Sequence, residues 1–295
     1  MFVTDELKDK LGYEKWVLKE SILAIEKYKG VLSNRTIRFE INGTINHHLM
    51  IKNELGASKR VEILEKLSPL LFVTSFKTLD MIFEWILKEN GSTSWQFAKK
   101  IQNYEILSQE SGFLLPTSIN LEKPLLETFF KLYKNLAVYR NQIIHGSWGT
   151  NNDGNLLFSF RKNGLEYSKQ ITFTNVLNLA ESISLFADEI IVPTENKSFV
   201  FSTIKFLLDK LEYIHEGSLF NTPAPSHFKV EYEISDSTEI LLKEIFDHLN
   251  HQTYGNPFSF SLRAISSNKT WEFPWNYLKD HDKLVLNSSL DKFLV

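Results

Sequence analysis

The sequence predicts a mainly α-helical fold, a helical bundle with an inserted β-hairpin, plus a small C-terminal α+β unit. Three observations predict it. Four segments between residues 69 and 191 carry apolar residues at helical spacing. Between the third and fourth of these the period shifts to alternation around Lys162-Asn163-Gly164, the signature of a hairpin. Beyond residue 198 strand and helix patterns follow one another over short stretches. The expected divisions are an N-terminal helix and strand extension over 1–64, a helical domain over 65–195, and an α+β domain over 196–295.

The elements follow in order. Residues 13–29 place Val17, Leu18, Ile22 and Ile25 at helical spacing. Residues 36–41 alternate strictly and meet Asn42-Gly43, a turn signal, so they form a short strand or hairpin arm. A helical pattern returns over 62–67. Ser68-Pro69 then reads as a new helix start, because serine caps and proline fits a first turn. Phe72, Phe76, Leu79, Phe83 and Ile86 fall on one face of that helix, and Asn90-Gly91 stops it. A second helix spans 95–107 and a third 124–145, with the stripe Leu125, Phe129, Leu132, Leu136 and Ile143. Residues 148–155 read as a Gly/Asn loop. The hairpin 156–161 and 165–171 follows, then a fourth helix over 175–191, lined by Val176, Ala180, Ile183, Ala187 and Ile190. The last part offers a helix over 200–214, a proline-rich loop over 221–226, strands near 228–234, 258–264 and 270–273, and a helix over 238–250.

Composition excludes several function classes. With 295 residues, 43% hydrophobic and 23% charged, the chain is globular rather than disordered or fibrous. No apolar run reaches the ~18 residues that a membrane span needs, and residues 1–10 lack an apolar signal core, so no membrane partner and a cytoplasmic location are expected. The absence of cysteine removes disulfides and thiol chemistry. A net charge of −3 excludes a globally basic nucleic-acid coat, yet residues 121–170 hold seven basic side chains against four acidic ones. Neither a P-loop, nor a dinucleotide glycine fingerprint, nor a G-x-S-x-G elbow is present. No cofactor or metal is expected. His47-His48 are adjacent, so on a strand or helix they point apart, and His248 with His251 reads as a solvated pair near a helix end.

One segment concentrates chemistry: Tyr139-Arg140-Asn141-Gln142-Ile143-Ile144-His145-Gly146. Arginine is scarce here, six against 27 lysines, so one at the end of an apolar helix is informative. Asn141 and His145, four apart, share a helix face. Arg140 lies about 140° round from His145 in a straight helix. The pair therefore does not close a site within one copy. Taken alone, such an arginine and histidine also serve to cap carbonyls or to pair with nearby acids.

The pattern Arg-Asn-x3-His-Gly resembles the HEPN superfamily, whose ribonuclease members carry Arg-x4–6-His on a bundle of four or five helices, often with a polar residue after the arginine. The resemblance covers roughly residues 65–195. It implies a HEPN-like bundle, a homodimer with paired motifs in one cleft, and metal-independent RNA cleavage by 2′-hydroxyl transfer. Arg140, Asn141 and His145 would be the catalytic residues. His145 would act as base on the 2′-hydroxyl or as acid on the leaving 5′-oxygen, since its unperturbed pKa of about 6.5 suits both. Arg140 would hold the scissile phosphate, and Asn141 would orient the histidine or the phosphate. Lys134, Arg161 and Lys162 would bind the RNA backbone, and Tyr139 and Trp148 would stack on bases. Family members often serve as toxins or in anti-phage defence, which implies a regulatory or antitoxin partner. The alternative is a non-catalytic interaction or adaptor module on the same bundle.

Overall fold

The structure is a computed structural model that describes every residue except 1, 29–31, 53–56, 163–164, 195–196, 212–219, 235–238 and 280. In chain order the helices are α1 (Thr4–Tyr28), α2 (Ala57–Glu89), α3 (Phe97–Leu107), α4 (Lys123–His145), α5 (Phe173–Ile191), α6 (Lys197–Asp209), α7 (Leu242–Gln252) and α8 (Trp275–Leu278). The strands are β1 (Leu32–Phe39), β2 (Ile45–Lys52), β3 (Ser147–Thr150), β4 (Leu156–Lys162), β5 (Leu165–Ile171), β6 (Ser226–Glu233), β7 (Glu239–Leu241), β8 (Phe258–Ile265), β9 (Thr270–Phe273) and β10 (Lys283–Val285). The fold is thus mixed, with helices prevailing in one part and sheet in another. Among the described residues no helix is long and apolar enough to cross a membrane.

The chain divides into two compact units, and the division is discontinuous in sequence. The first holds residues 1–29, 55–193 and 204–221. The second holds 30–54, 194–203 and 222–295. The N-terminal residues therefore do not form an extension of their own. α1 joins the helices because its stripe, Leu7, Leu11, Leu18 and Ile25, is buried. The strands β1 and β2 belong instead to the sheet of the second unit.

In the first unit α2 is the central helix, packed against α1, α3, α4 and α5. Its residues Phe72, Leu79, Ile82, Phe83 and Ile86 are fully buried. Phe129 of α4 stacks on Phe186 of α5 with ring centroids 4.3 Å apart. Ion pairs tie the periphery: Lys88 donates to both carboxylate oxygens of Glu6 at 2.7 and 2.8 Å, and Lys15 and Lys19 converge on Asp188. The expected helix start at Ser68-Pro69 is corrected: α2 runs unbroken from Ala57, with Pro69 in its interior. Proline removes one backbone donor. Burial of Ser68 just before it and of Leu71 and Phe72 just beyond it holds the helix in place. The Gly/Asn loop is corrected as well. Its first residues form β3, which pairs antiparallel with β4 to make a three-stranded sheet, β3-β4-β5. The hairpin strands β4 and β5 pair antiparallel with Arg161 opposite Glu166; the turn residues Asn163 and Gly164 lie outside the described residues.

The second unit is built on a five-stranded sheet in the order β2-β1-β6-β8-β9. β1, β6 and β8 are mutually parallel, while β2 and β9 run antiparallel at the edges. α7 lies in the β6 to β8 crossover, as a parallel connection requires. Ile37, Phe228, Val230, Phe260, Leu262 and Phe273 face one side and form a core with Ile245 and Leu249 of α7. The alternate residues, among them Arg38, Lys229, Glu231 and Arg263, face the other side. Gly43 closes the β1–β2 hairpin with a φ of +81°, a conformation that glycine adopts without strain. The expected helix over 238–250 begins later, because residues 239–241 form β7 and pair with β10.

Candidate functional site

The Arg-Asn-x3-His segment occupies the last two turns of α4. The first turns of this helix are fixed by burial of Leu125, Phe129, Leu132, Tyr133 and Leu136. That stripe sets the rotation of everything beyond it. At 100° per residue, Asn141 and His145 continue the solvent face of Lys131, Lys134 and Val138, while Arg140 continues the face of Tyr133. Exposure agrees: Asn141 and His145 are exposed and Arg140 is half-buried.

Two contacts hold the Arg140 side chain. Its guanidinium carbon stands 5.9 Å from the centroid of the Phe76 ring on α2, a cation–π distance. Its Nη1 donates to Asn141 Oδ1 at 3.0 Å. Among the described residues Arg140 pairs with no carboxylate and bonds no backbone carbonyl. His145 likewise has no hydrogen-bond partner among the described residues. Asn141 therefore orients the arginine, not the histidine, within one copy.

The helix ends by turning straight into β3. Gly146 donates its backbone N–H to Gln142 O at 2.8 Å. Its conformation is extended (φ −117°), not the left-handed form of a usual glycine stop. A Cβ placed there would come within 3.0 Å of Gln142 Cα and closer still to the Gln142 side chain, so glycine lets the strand leave against the last helical turn. Trp148 follows two residues later and is 39% exposed.

The other expected RNA contacts fare unevenly. Tyr139 packs against Phe158 and Phe160 of β4, at 5.1 and 6.4 Å between centroids. Its ring ties α4 to the small sheet, which replaces the free stacking role expected of it. Lys134 is ion-paired with Glu105 of α3 and stands 6.0 Å from the Phe130 ring. The side chains of Arg161 and Lys162 lie outside the described residues. Lys131, which shares the exposed stripe with His145, has no acidic partner among the described residues.

Sequence reasoning missed the polar network around Tyr133, about two turns before Arg140 on α4. Lys100 of α3 is almost wholly buried and donates to Asp80 at 3.0 Å and to Glu84 at 2.6 Å, both on α2. The Tyr133 hydroxyl donates to the same Asp80. Burial alone would pull the Lys100 ammonium down, but its hydrogen bonds to Glu84 and Asp80, with their charges, raise it above its ordinary value. Burial first, then the Asp80 charge, pushes the Tyr133 phenol far up. The available signal was a lysine inside the apolar stripe Phe97, Ile101 and Tyr104, three and four residues from its neighbours.

His47 and His248 come together, with ring centroids 5.8 Å apart, although the sequence separates them widely. Burial, then the His47 and His251 charges, lowers the His248 pKa. Among the described residues no group of three or more His, Asp or Glu side chains is arranged to hold a metal ion.

Compared with protein-family models, with curated proteins and with solved structures, the chain matches none.

Proposed function

We propose that the chain is a metal-independent endoribonuclease of the HEPN type, acting on RNA in the cytoplasm as a homodimer. The observation that carries this reading is the state of Arg140. It is oriented by Phe76 and Asn141, yet among the described residues it spends its charge on no acid and no backbone carbonyl. A structural arginine would do one or the other. Nearby, His145 is exposed and unengaged among the described residues.

The chemistry follows from these groups. The ribose 2′-oxygen attacks the adjacent phosphorus and the 5′-oxygen leaves, giving a 2′,3′-cyclic phosphate and a 5′-hydroxyl. One imidazole takes the 2′ proton or gives a proton to the 5′-oxygen, and the guanidinium stabilises charge on the non-bridging oxygens. Because Arg140 and His145 diverge by about 140° around α4, a second copy across a two-fold axis completes the site. Trp148 follows this helix end and offers a base-stacking ring, and Lys131, about four turns back along the same exposed stripe, offers a phosphate contact further along the strand. A toxin or anti-phage role, with a partner that keeps the enzyme silent, accords with this activity.

The test is RNA cleavage in EDTA by the wild type, His145→Ala and Arg140→Ala, with oligomeric state measured by light scattering. Cleavage by a wild-type dimer alone, leaving cyclic phosphate ends, is expected. Cleavage that survives both substitutions would sink the assignment. A folded dimer inert on structured and unstructured RNAs would favour the adaptor reading.

A further inference from the structure

Among the described residues the open face of the five-stranded sheet carries a cross-strand charge pattern with one cation left over. Arg38, Glu231, Arg263 and Glu272 stand opposite one another across β1, β6, β8 and β9. Arg38 pairs with Glu233 and Glu231, and Arg263 with Glu231 at 3.8 Å and Glu272 at 3.6 Å. Such a row is self-neutralised. The neighbouring row is different. Thr36, Lys229 and Ser261 are in register, so one ammonium stands between two hydroxyls. Lys229 makes no ion pair and no hydrogen bond among the described residues. One step further along, His227 Nδ1 meets Ser259 Oγ at 2.8 Å. Burial first, then the Lys229 charge, lowers the His227 pKa, so the positive charge at this end is that of Lys229.

Thr36, Lys229, Glu231, Ser261, Arg263 and Glu272 line a cavity of about 470 Å³, within the range of small-molecule sites. We propose that this cavity binds a small organic phosphate, with the phosphate group on Lys229 and hydrogen-bonded by Thr36 and Ser261. The chemistry favours a single phosphate over a nucleic-acid strand. The aromatic side chains of this sheet, among them Phe39, Tyr232, Phe260 and Trp271, belong to the core on the other face, and Phe273, which borders the cavity, is only 1% exposed, so no ring is free to stack here. The carboxylates of Glu231 and Glu272 would repel a continuous polyanion crossing the rows. They leave room for one anion over the Thr36-Lys229-Ser261 row and can accept hydrogen bonds from hydroxyl or amino groups on the rest of the ligand.

Isothermal titration of the full chain at low ionic strength tests this, with phenyl phosphate and inorganic phosphate as probes. Saturable 1:1 binding is expected, tighter for phenyl phosphate, and weakened about tenfold or more by Lys229→Gln. Lys243→Gln, on the exposed side of α7, should change it less than about twofold. Absence of saturable binding by either probe, or equal binding by Lys229→Gln and wild type, would overturn the site. Equal or tighter binding of inorganic phosphate would overturn the organic ligand. None of these outcomes depends on ribonuclease activity.

Discussion

Replacing Lys100 by methionine isolates the polar network around Tyr133. Methionine is close to the lysine stem in length, so the packing volume is kept and no large cavity opens. What is lost is the ammonium, whose side chain is only 3% exposed, while Asp80 and Glu84 remain 28% and 43% exposed. Breaking a fully buried pair costs about 3–5 kcal/mol, and breaking an exposed one less than about 1 kcal/mol. Partial solvation of both carboxylates puts this case between, at about 2 kcal/mol. The assay is urea unfolding followed by fluorescence, since Trp85 is buried in the same unit. A double-mutant cycle with Asp80→Asn should be clearly less than additive, because each change removes the same contact. The pH sense is also fixed. Lys100 is raised in the folded chain, so its contribution is complete below the ordinary lysine value and fades as pH climbs through the raised one. A loss under about 0.5 kcal/mol at neutral pH, or strict additivity in the cycle, would refute the reasoning.

Three further outcomes are expected. Tyr133 and Tyr104 are both raised by burial, so each binds its proton more tightly folded than unfolded, and stability should fall as pH rises above about 10; absorbance titration at 295 nm would show two phenols that ionise only on unfolding. Arg140→Lys keeps the charge but loses the planar guanidinium that faces Phe76 and reaches Asn141, so cleavage should drop at least about a hundredfold with the unfolding midpoint nearly unchanged. Gly43→Ala forces a side chain into φ +81° and should destabilise the second unit by about 1 kcal/mol, read as an earlier loss of near-ultraviolet dichroism on heating.

Local periodicity carried most of the helices, because a stripe such as Leu125 to Leu136 must be buried whatever lies around it. It failed where a local signal and tertiary burial disagreed. Ser68-Pro69 has the chemistry of a helix start, yet α2 passes through it without a break, and Ser68, Leu71 and Phe72 around the proline are fully buried. Short edge strands such as β3 and β10 were hidden because three or four residues carry too little alternation to stand out. The Arg140 to His145 motif was legible from residue types and spacing. Its support was not, since Phe76 reaches Arg140 from another helix. The same holds for the Thr36, Lys229 and Ser261 row, which exists only through strand register.

The membership of β1 in the second sheet bears on the order in which the protein is made. Arg38 on β1 and Glu233 on β6 are bonded although 195 residues separate them. During synthesis the β1–β2 hairpin emerges early and must wait, its β6-facing backbone groups unpaired, while the helices of the first unit are produced. Closing so long a loop costs little more entropy than closing one half its length, so the delay is one of time rather than stability. In that interval the strand offers an open edge to any neighbouring nascent chain. A fragment limited to residues 222–295 would inherit the complementary fault, with β6 exposed where β1 belongs. Expression of the sheet unit therefore requires residues 30–54 to be supplied along with it, in the same chain or as a separate peptide.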